Sequence, residues 1–554
     1  MTDSASVPVG DSLDDFTLAP EKFAEVSVSG MVRHWARTRA DDPAYIDTEG
    51  ILSWSGYDRA ADLVYAALVP EDGSDAPGSA AVYLPDTAGF HIALVGAYRA
   101  GVRVAAMGAR SGPAEIAHIM STAGARVLVT APSIRGRSVG ELLDDLESRG
   151  LGLDAVIIVD GTEIVSGHGP VVRREVDPSR AFGVDEISML NSTSGTTGRP
   201  KLVTQTQRRW VAFAGVACRK GELDRDETIA AFVPAPFGFG LWTSHFLPAL
   251  MGRPTLVMDR FDASVAISLM RDHGATVLAC VSTQFRMMLH SEHPPLSEHT
   301  SLRVMYTGGE AVPTTEARRF EEITGARALQ FYGSNETGAA SATSIHDDDE
   351  TRLATGGYLL PEMQVRVFDG GREIPGPGLR RGQPAVRGPL MSRGYWNDDA
   401  ANAELFTDDG WILLGDVVEV DESDRLRVVG RIADLIIRGG KNISAVEVED
   451  HVREHPAVAM VAAVGVPDPL FGERLCVVVT LRSGADDLSL PDLTTWLRDR
   501  GVTREYLPER LLVVDSLPTA PGGKIAKGEV RGLAEAATTD ATATDATTTE
   551  SGDL

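Results

Sequence analysis

Residues 192–201 read STSGTTGRPK and follow the apolar run ISML at residues 187–190, which is the pattern of a loop that begins where a strand ends. Glycine lets a backbone approach a phosphate closely, and Ser and Thr hydroxyls donate hydrogen bonds to phosphate oxygens together with backbone N–H groups. Lys201 would add a positive charge. The composition therefore indicates a phosphate-binding loop, with a merely flexible Gly/Thr loop as the plainer alternative.

The spacing within this loop excludes a Walker A motif, G-x-x-x-x-G-K-[ST]. Gly195 and Gly198 are three positions apart, Pro200 precedes the lysine, and Leu202 follows it. A P-loop kinase or GTPase is therefore not predicted.

Strand and helix patterns alternate on both sides of the loop. Helices are predicted for MVRHWARTRA, for AGFHIALVGAYRAG with Gly101 at its end, and for PAEIAHIMSTAG with proline in its first turn. Strands are predicted for GSAAVYLPD, GVRVAAMG, ARVLVTA, ATVLACVS, SLRVMYTGG and ARALQFYGS. This alternation predicts parallel sheets with helices on their faces.

The predicted fold class is α/β, with two domains and a tail. The large N-terminal domain, residues 13–432, would hold the parallel sheets, their helices and a strand-rich subdomain near residues 356–429. A small α+β domain would follow at residues 433–536. Residues 537–554 are rich in Ala, Thr and Asp, and such a composition predicts a disordered tail.

Composition narrows the cellular setting and the classes of partner. The formal net charge of −27 disfavours non-specific nucleic-acid binding. No apolar run is long enough for a membrane span, and no secretory signal opens the chain. Cys218, Cys280 and Cys476 lie far apart in apolar contexts, so we expect small buried residues in a protein of the reducing cytoplasm.

The stretch Thr193–Lys201 resembles the phosphate-loop signature of the adenylate-forming (ANL) superfamily, which includes acyl-CoA synthetases, adenylation domains of peptide synthetases and beetle luciferases. Further segments similar to those of the superfamily follow in order: TGGEAVP at 307–313, FYGSNETG at 331–338, GYWNDDAANAELFTDDGWILLGD at 394–416, VVGRIADLIIRGGKNISAVEVE at 428–449 and LPTAPGGKIAK at 517–527. The resemblance extends from about residue 28 to residue 530 and implies the ANL fold.

The resemblance also implies roles for individual residues. ATP would be bound by Thr193, Ser194, Gly195, Thr196, Thr197, Gly198, Lys201, Gly308, Gly309, Glu310, Tyr332, Gly333, Ser334, Asn335, Asp416 and Arg431. Lys524, Glu336 and Thr196 would be catalytic, with Glu336 as the Mg²⁺ ligand, because Mg²⁺ prefers carboxylate oxygen. The acid would contact Phe237, Gly238 and Phe239, and Gly439 and Gly440 would line a CoA channel. Lys527 would be a surface charge.

Three positions depart from the superfamily pattern. Asn335 stands where threonine is usual, although its amide can still donate to a phosphate oxygen. Ala433 replaces the usual Asp or Lys of the hinge, so the polar contacts that hold the domain orientation are in question. Phe237 stands where many acyl- and aryl-CoA ligases have histidine, and a phenyl ring could gate the acid pocket without donating a hydrogen bond.

The implied function is ATP-dependent activation of a fatty, alicyclic or aromatic acid to an acyl-adenylate, followed by transfer to the thiol of CoA. Three alternatives stay open: a ligase that loads the phosphopantetheine arm of a separate acyl carrier protein, a non-catalytic nucleotide-binding homologue, and a luciferase-like oxidation. Residues 235–240 read APFGFG without the aspartate that peptide-synthetase domains use to pair an α-amine, so amino acids are disfavoured. We expect a monomer or a homodimer.

Overall fold

The computed structural model describes residues 26–71, 74–167, 169–192, 200–224, 226–298, 301–309, 312–438, 441–482, 484–485, 487–519 and 525–548. The chain forms two compact units, Met1–Val365 with Val386–Leu413, and Arg366–Ala385 with Leu414–Leu554. The chain therefore enters the second unit before residue 432, where the sequence placed a boundary. Ser444 Oγ donates to the carbonyl of Val429 at 2.6 Å, which joins the strand-rich segment to the C-terminal region. The position of a hinge stays a prediction.

The first unit contains most of the helices and two large sheets. Its helices are α1 (Val28–Thr38), α2 (Trp54–Leu68), α3 (Ala88–Ala100), α4 (Pro113–Ala123), α5 (Val139–Ser148), α6 (Gln207–Gly221), α7 (Gly238–Leu241), α8 (Leu247–Met251), α9 (Ala263–Asp272), α10 (Ser282–Leu289), α11 (Thr314–Thr324), α12 (Asp349–Ala354) and α13 (Asp399–Leu405), with a π-helical segment Trp242–Phe246 between α7 and α8. Its strands are β1 (Pro43–Ile46), β2 (Ile51–Ser53), β3 (Ser79–Tyr83), β4 (Arg103–Met107), β5 (Val127–Thr130), β6 (Ser133–Ile134), β7 (Arg137–Ser138), β8 (Ala155–Asp160), β9 (Glu163–Ser166), β10 (Gly169–Pro170), β11 (Ile187–Ser192), β12 (Leu202–Thr206), β13 (Ile229–Ala231), β14 (Thr255–Leu256), β15 (Val277–Ala279), β16 (Val304–Gly308), β17 (Arg327–Ser334), β18 (Gly338–Ala342) and β19 (Tyr358–Leu359).

The two large sheets are mixed, with parallel central strands. One has the order β19-β18-β17-β16-β15-β13-β14-β1-β2, and the other has the order β10-β9-β8-β5-β3-β4-β11-β12. Strands β3, β4 and β5 pair in parallel, as do β13, β15, β16 and β17. All five residues of β3 are buried, because helices cover a parallel sheet on both faces. The α/β prediction for this region is confirmed.

The remaining elements lie mainly in the second unit. They are β20 (Gln364–Asp369), β21 (Arg372–Glu373), β22 (Arg380–Arg387), β23 (Ile412–Leu413), β24 (Asp416–Val420), β25 (Leu426–Arg431), β26 (Leu435–Arg438), β27 (Lys441–Ser444), α14 (Ala445–Arg453), β28 (Val458–Asp468), β29 (Gly472–Leu481), α15 (Leu490–Asp499), β30 (Arg510–Val513) and α16 (Lys527–Thr548). Strands β28 and β29 form a long antiparallel pair, and β30 adds in parallel to β29.

The small sheet of the second unit is covered on both faces. Helices α14 and α15 contribute Val448, Val452, Leu493 and Leu497 to one apolar core. Helix α16 contributes Val530 and Ala534 to the other. The predicted α+β character of this region is confirmed.

The end of the chain differs from the sequence prediction. Helix α16 continues to Thr548, so residues 537–548 are helical where a disordered tail was expected. The physical reason is that a helix already anchored by buried Val530 and Ala534 extends easily through alanine-rich sequence, because alanine has the highest helix propensity. Residues 549–554 lie outside the described part of the chain.

The three cysteines are buried and form no disulfide. Among the helices of the described residues, none has the length and apolar character needed to cross a bilayer.

The core of the first unit contains a buried pair of histidines. His91 on α3 and His245 in the π-helical segment place their Nδ1 atoms 3.3 Å apart, and the side chain of Tyr45 stacks on His91 with ring centroids 4.4 Å apart. Both histidines are fully buried, and within the described residues neither Nε2 atom has a hydrogen-bond partner. Burial lowers the pKa of both, that of His245 to about 3. The pair is therefore neutral in the folded protein.

This pair predicts a loss of stability in acid. Below a pH near 6.5 the two histidines bind protons in the unfolded chain, whereas the buried pair in the folded protein stays neutral. The free energy of unfolding therefore falls as the pH drops from about 6.5 towards 3. For His245 alone the loss between pH 7 and pH 5 should be about 2 kcal/mol, at about 1.4 kcal/mol per pH unit. Denaturant unfolding at both pH values should show a smaller loss for His245→Gln than for the wild type. The same substitution at exposed His290 should leave the loss unchanged, and equal losses in all three proteins would contradict the prediction.

Candidate active site

The phosphate loop is held at both ends by a pair of antiparallel strands. Ser192, the last residue of β11, pairs with Leu202, the first residue of β12. Ser192 and Leu202, which flank the loop, therefore lie side by side. Thr193, Ser194, Gly195, Thr196, Thr197 and Gly198 lie outside the described residues, so their predicted contacts with phosphate stay predictions.

The two predicted adenine segments lie on neighbouring strands of the other large sheet. Gly308 at the end of β16 pairs in parallel with Phe331 on β17, and Tyr332 follows as a largely buried ring. A Cβ atom at Gly333 would lie 1.8 Å from the carbonyl oxygen of Gly338, so only glycine fits. Gly309 is described next to Gly308, whereas Glu310 lies outside the described residues.

Glu336 stands at the apex of a tight turn after β17. Ser334 Oγ accepts hydrogen bonds from the N–H groups of Glu336 and Thr337, and Thr337 Oγ1 accepts from the N–H of Ser334. The carbonyl of Glu336 accepts from Ser392 N–H at 2.6 Å. The backbone of the predicted metal ligand is therefore fixed, and a single carboxylate in this position suits Mg²⁺, which usually takes one or two protein carboxylates together with phosphate oxygens.

The carboxylate of Glu336 and the ammonium of Lys201 contact the same side chain, that of Tyr395. The Tyr395 hydroxyl donates to Glu336 Oε1 at 2.8 Å, and Lys201 Nζ lies 4.9 Å from the centroid of the Tyr395 ring. Burial, and then the nearby charge of Glu336, raises the pKa of Tyr395 well above its usual value, so the hydroxyl stays protonated and donates. Lys201 and Glu336 therefore contact the same tyrosine side chain, and their predicted roles with ATP and Mg²⁺ stay predictions.

A buried guanidinium donates hydrogen bonds to the turn that carries Glu336. Arg209 on α6 is 2% exposed, and its Nε donates to the carbonyl of Leu390 at 2.8 Å. Its Nη2 donates to the carbonyls of Asn335 and Glu336 at 3.0 and 3.4 Å, and its Nη1 donates to the side chain of Gln205. Burial lowers the pKa of Arg209 to about 9, so it stays charged at neutral pH.

Asn335 takes part in a network of side-chain amides. Asn335 Nδ2 donates to Asn191 Oδ1 at 2.8 Å, and Asn191 Nδ2 donates back to Asn335 Oδ1 at 3.1 Å. Gln205 Nε2 donates to Asn191 Oδ1 at 2.6 Å. This pairing uses one of the two amide hydrogens of Asn335, so its predicted contact with a phosphate oxygen stays a prediction.

The predicted acid-binding residues lie at the start of α7. The ring of Phe237 packs over Gly108, where an added Cβ would be 3.3 Å from the ring. Asp86 accepts a hydrogen bond from the N–H of Ala235 at 2.8 Å and so holds the segment that leads to Phe237. Burial raises the pKa of Asp86 to about 7.

An aromatic cluster lies beside the acid-binding residues. The ring of Phe239 stacks on Trp242 at 5.8 Å between centroids. Trp242 is 2% exposed and contacts Phe213 at 5.0 Å, Tyr306 at 5.3 Å and Phe331 at 5.6 Å. The interior next to Phe239 is therefore filled by rings.

The predicted ribose-binding residues lie in the second unit. Asp416 on β24 pairs with Arg431 on β25, and Arg431 Nε lies 3.5 Å from Asp416 Oδ1. The two residues thus form an ion pair at the end of a hairpin. Gly439, Gly440 and Lys524 lie outside the described residues.

Lys527 differs from the sequence expectation of a surface charge. Its side chain is 21% exposed, with Nζ 2.8 Å from Glu449 Oε1 and 3.7 Å from Asp434 Oδ2. The two carboxylates face it because α14 and the residue after Ala433 lie beside the start of α16. Lys527 therefore joins these elements within the second unit.

Comparison with known proteins identifies the family. The family described as "AMP-binding enzyme" matches residues 32–396, and that described as "AMP-binding enzyme C-terminal domain" matches residues 447–524. The chain belongs to the adenylate-forming superfamily. The resemblance read from the sequence is confirmed, as are the ANL fold with its large N-terminal and small C-terminal domains and membership of the AMP-forming acid–thiol ligase family.

Two curated relatives and one solved structure are similar to this chain over most of its length. A salicylyl-CoA synthase / salicylate adenylyltransferase of a Streptomyces species is 33% identical over 522 residues, covering 90% of this chain and 92% of the relative. The salicyl-AMP ligase / salicyl-S-ArCP synthetase of Mycobacterium tuberculosis is 30% identical over 513 residues, covering 90% and 88%. The o-succinylbenzoate coenzyme A synthetase of Bacillus subtilis, solved with ATP and magnesium ion, superposes with a TM-score of 0.77 at 23% identity, covering 90% of this chain and 98% of that one.

Sequence reasoning missed four residues of this site: Arg209, Tyr395, Asp86 and Trp242. Tyr395 is the second residue of the segment 394–416, already recognised as similar to the superfamily, so its position was available as a signal. Arg209 follows another arginine at the start of a helix, a pattern typical of a solvated face, and its burial becomes visible only in the fold. No motif or spacing in the sequence indicated Asp86 or Trp242.

Gly238 links the acid-binding residues to the amide network, and this contact is testable. A Cβ atom at Gly238 would lie 2.8 Å from Asn335 Oδ1 and 3.2 Å from Trp210 Cη2. Gly238→Ala should therefore lower the free energy of unfolding by about 1–3 kcal/mol, the usual cost of overpacking. Denaturant unfolding should show a smaller cost when Asn335→Ala is also present, because the clashing atom is then gone. Gly78→Ala, which adds a Cβ in open space, is the matched control, and equal costs at Gly238 with and without Asn335 would contradict the contact.

Proposed function

We propose that this protein activates an aromatic carboxylic acid with ATP to an acyl-adenylate and transfers the acyl group to the thiol of CoA. The observation that carries the proposal is the fixed arrangement of Lys201, Tyr395 and Glu336 beside the strand pair that bears the phosphate loop. It provides a cation for phosphate oxygens and a carboxylate for Mg²⁺ in one place. The family match supports the same chemistry.

In the first step, a carboxylate oxygen of the acid attacks the α-phosphorus of ATP. The bond from that phosphorus to the oxygen of the β-phosphate breaks, and pyrophosphate leaves. Mg²⁺ held by Glu336 would offset the charge of the phosphates. Lys201 and the loop Thr193–Gly198 would orient the leaving pyrophosphate, and Lys524 would lie against the acid carboxylate and the α-phosphate. The protein supplies placement and charge neutralisation and needs no covalent nucleophile.

In the second step, the thiol sulfur attacks the acyl carbon and gives up its proton. The bond from that carbon to the phosphate oxygen breaks, and AMP leaves with the oxygen. In the proposal Tyr332 and the Gly308–Gly309 backbone bind the adenine, while Asp416 and Arg431 contact the ribose. Gly439 and Gly440 remain the proposed lining of the thiol channel.

The preference for an aromatic acid rests on the acid-binding residues themselves. Trp242 and its neighbouring rings fill the interior beside Phe239, where a long acyl chain would need space. A flat ring could stack against Phe237 or Phe239 without displacing that cluster. The two curated relatives described above are both named for salicylate, which supports the same class.

A carrier protein is the second candidate acceptor. The Mycobacterium tuberculosis relative is named a salicyl-S-ArCP synthetase, and a carrier presents the same phosphopantetheine thiol as CoA. The first step would be unchanged. Release of AMP with CoA and with a phosphopantetheinylated aryl carrier protein, compared at equal thiol concentration, decides between the two acceptors.

Pyrophosphate release against a panel of acids tests the proposal. Substituted benzoates should give a kcat/KM at least about tenfold above that of octanoate, corresponding to about 1.4 kcal/mol of transition-state binding. Lys524→Ala should lower the benzoate rate by about 10²–10³, the usual cost of removing one such donor. Lys220→Ala, at the end of α6, is the matched control. Preference for octanoate would refute the aromatic class, and pyrophosphate release that is independent of any acid would refute the activity.

A further inference from the structure

Tyr395 is held rigidly by its backbone. Its N–H donates to Asn402 Oδ1 at 2.7 Å, and Asn402 Nδ2 donates to the Tyr395 carbonyl at 2.8 Å. Asn402 lies on α13, so that helix anchors the tyrosine from one side.

The opposite side of the same segment is bonded to the strand that follows the phosphate loop. Tyr395 forms an antiparallel bridge with Val203, and the N–H of Trp396 donates to the carbonyl of Leu202 at 2.8 Å. Lys201 immediately precedes Leu202. The segment and the end of the phosphate loop therefore keep a constant spacing.

The side chain of Tyr395 contacts both charged groups at once. The hydroxyl binds one carboxylate oxygen of Glu336, and the ring faces the ammonium of Lys201. Ser392 and Arg209 already fix the backbone of Glu336. The hydroxyl of Tyr395 fixes the direction of the Glu336 carboxylate. The face of the ring attracts the ammonium electrostatically.

We propose that Tyr395 is a positioning residue for the ATP step. Its hydroxyl orients Glu336 towards Mg²⁺, and its ring faces the ammonium of Lys201 and so orients that side chain towards the phosphates. Without the ring, Lys201 would lose the aromatic face that orients it, and a contact with phosphate would then cost more side-chain entropy. This inference rests on the proposed role of Glu336 in the function above.

The two contributions of Tyr395 can be separated by substitution. Tyr395→Phe removes the hydroxyl and keeps the ring, whereas Tyr395→Leu removes both. Binding of ATP without acid, measured by calorimetry over a series of Mg²⁺ concentrations, reports the positioning without turnover. Tyr358→Phe, at a half-buried tyrosine on β19, is the matched control. Glu336→Gln marks the effect of losing the carboxylate, and the melting temperature of each variant checks that it is folded.

For Tyr395→Phe, the Mg²⁺ concentration at half-maximal ATP binding should rise about three- to tenfold, as expected for one net hydrogen bond, with ATP affinity at saturating Mg²⁺ within about twofold of wild type. Tyr395→Leu should also weaken ATP binding at saturating Mg²⁺ by about three- to tenfold, because the ring that orients Lys201 is then gone.

Three results would overturn the inference, and they separate it from the function. If Glu336→Gln shifts the Mg²⁺ dependence and Tyr395→Phe does not, Tyr395 has no positioning role while the proposed function stands. If Glu336→Gln itself has no effect, the metal role of Glu336 fails and the inference fails with it. If the wild type binds no ATP at any Mg²⁺ concentration, the proposed function fails as well.

Discussion

The buried guanidinium of Arg209 connects three parts of the candidate site through its hydrogen bonds. A charge taken out of water must be compensated by hydrogen bonds, and Arg209 finds them in the carbonyls of Asn335, Glu336 and Leu390 and in the side chain of Gln205. These acceptors come from three separate segments of the first unit. The need to satisfy one cation therefore brings together the turn that carries Glu336, the amide network around Asn335 and the segment that leads to Tyr395.

The sequence predicts the elements well because their signals are local. Apolar periodicity, a proline at Pro113 and a glycine at Gly101 are sufficient to place helices α3 and α4, and buried runs such as residues 79–83 place the parallel strands. The C-terminal helix is the exception. Its composition resembles a disordered segment, but the packing of Val530 and Ala534 on a distant sheet allows the helix to begin.

The candidate site likewise contains residues that the sequence indicates and residues that it does not. Lys201, Tyr332 and Glu336 are recognisable because motifs place them near glycines at fixed spacing. Tyr395 and Arg209 act through contacts with residues 59 and 126 positions away, and no local pattern reports such contacts. Trp242 is similar, since its place among Phe213, Tyr306 and Phe331 depends on how two helices and two strands pack. Long-range packing decides which of the aromatic and charged residues belong to the site.

In the proposed function, the acid is activated through a bond between its own oxygen and the α-phosphorus of ATP. Incubating the enzyme with ATP, CoA and a substituted benzoate labelled with ¹⁸O in both carboxylate oxygens, followed by mass spectrometry of the nucleotide, tests that bond directly. AMP should gain one ¹⁸O atom, because the bridging oxygen of the acyl-adenylate stays on phosphorus when the thiol attacks the acyl carbon. Unlabelled AMP, or ADP as the nucleotide product, would contradict it.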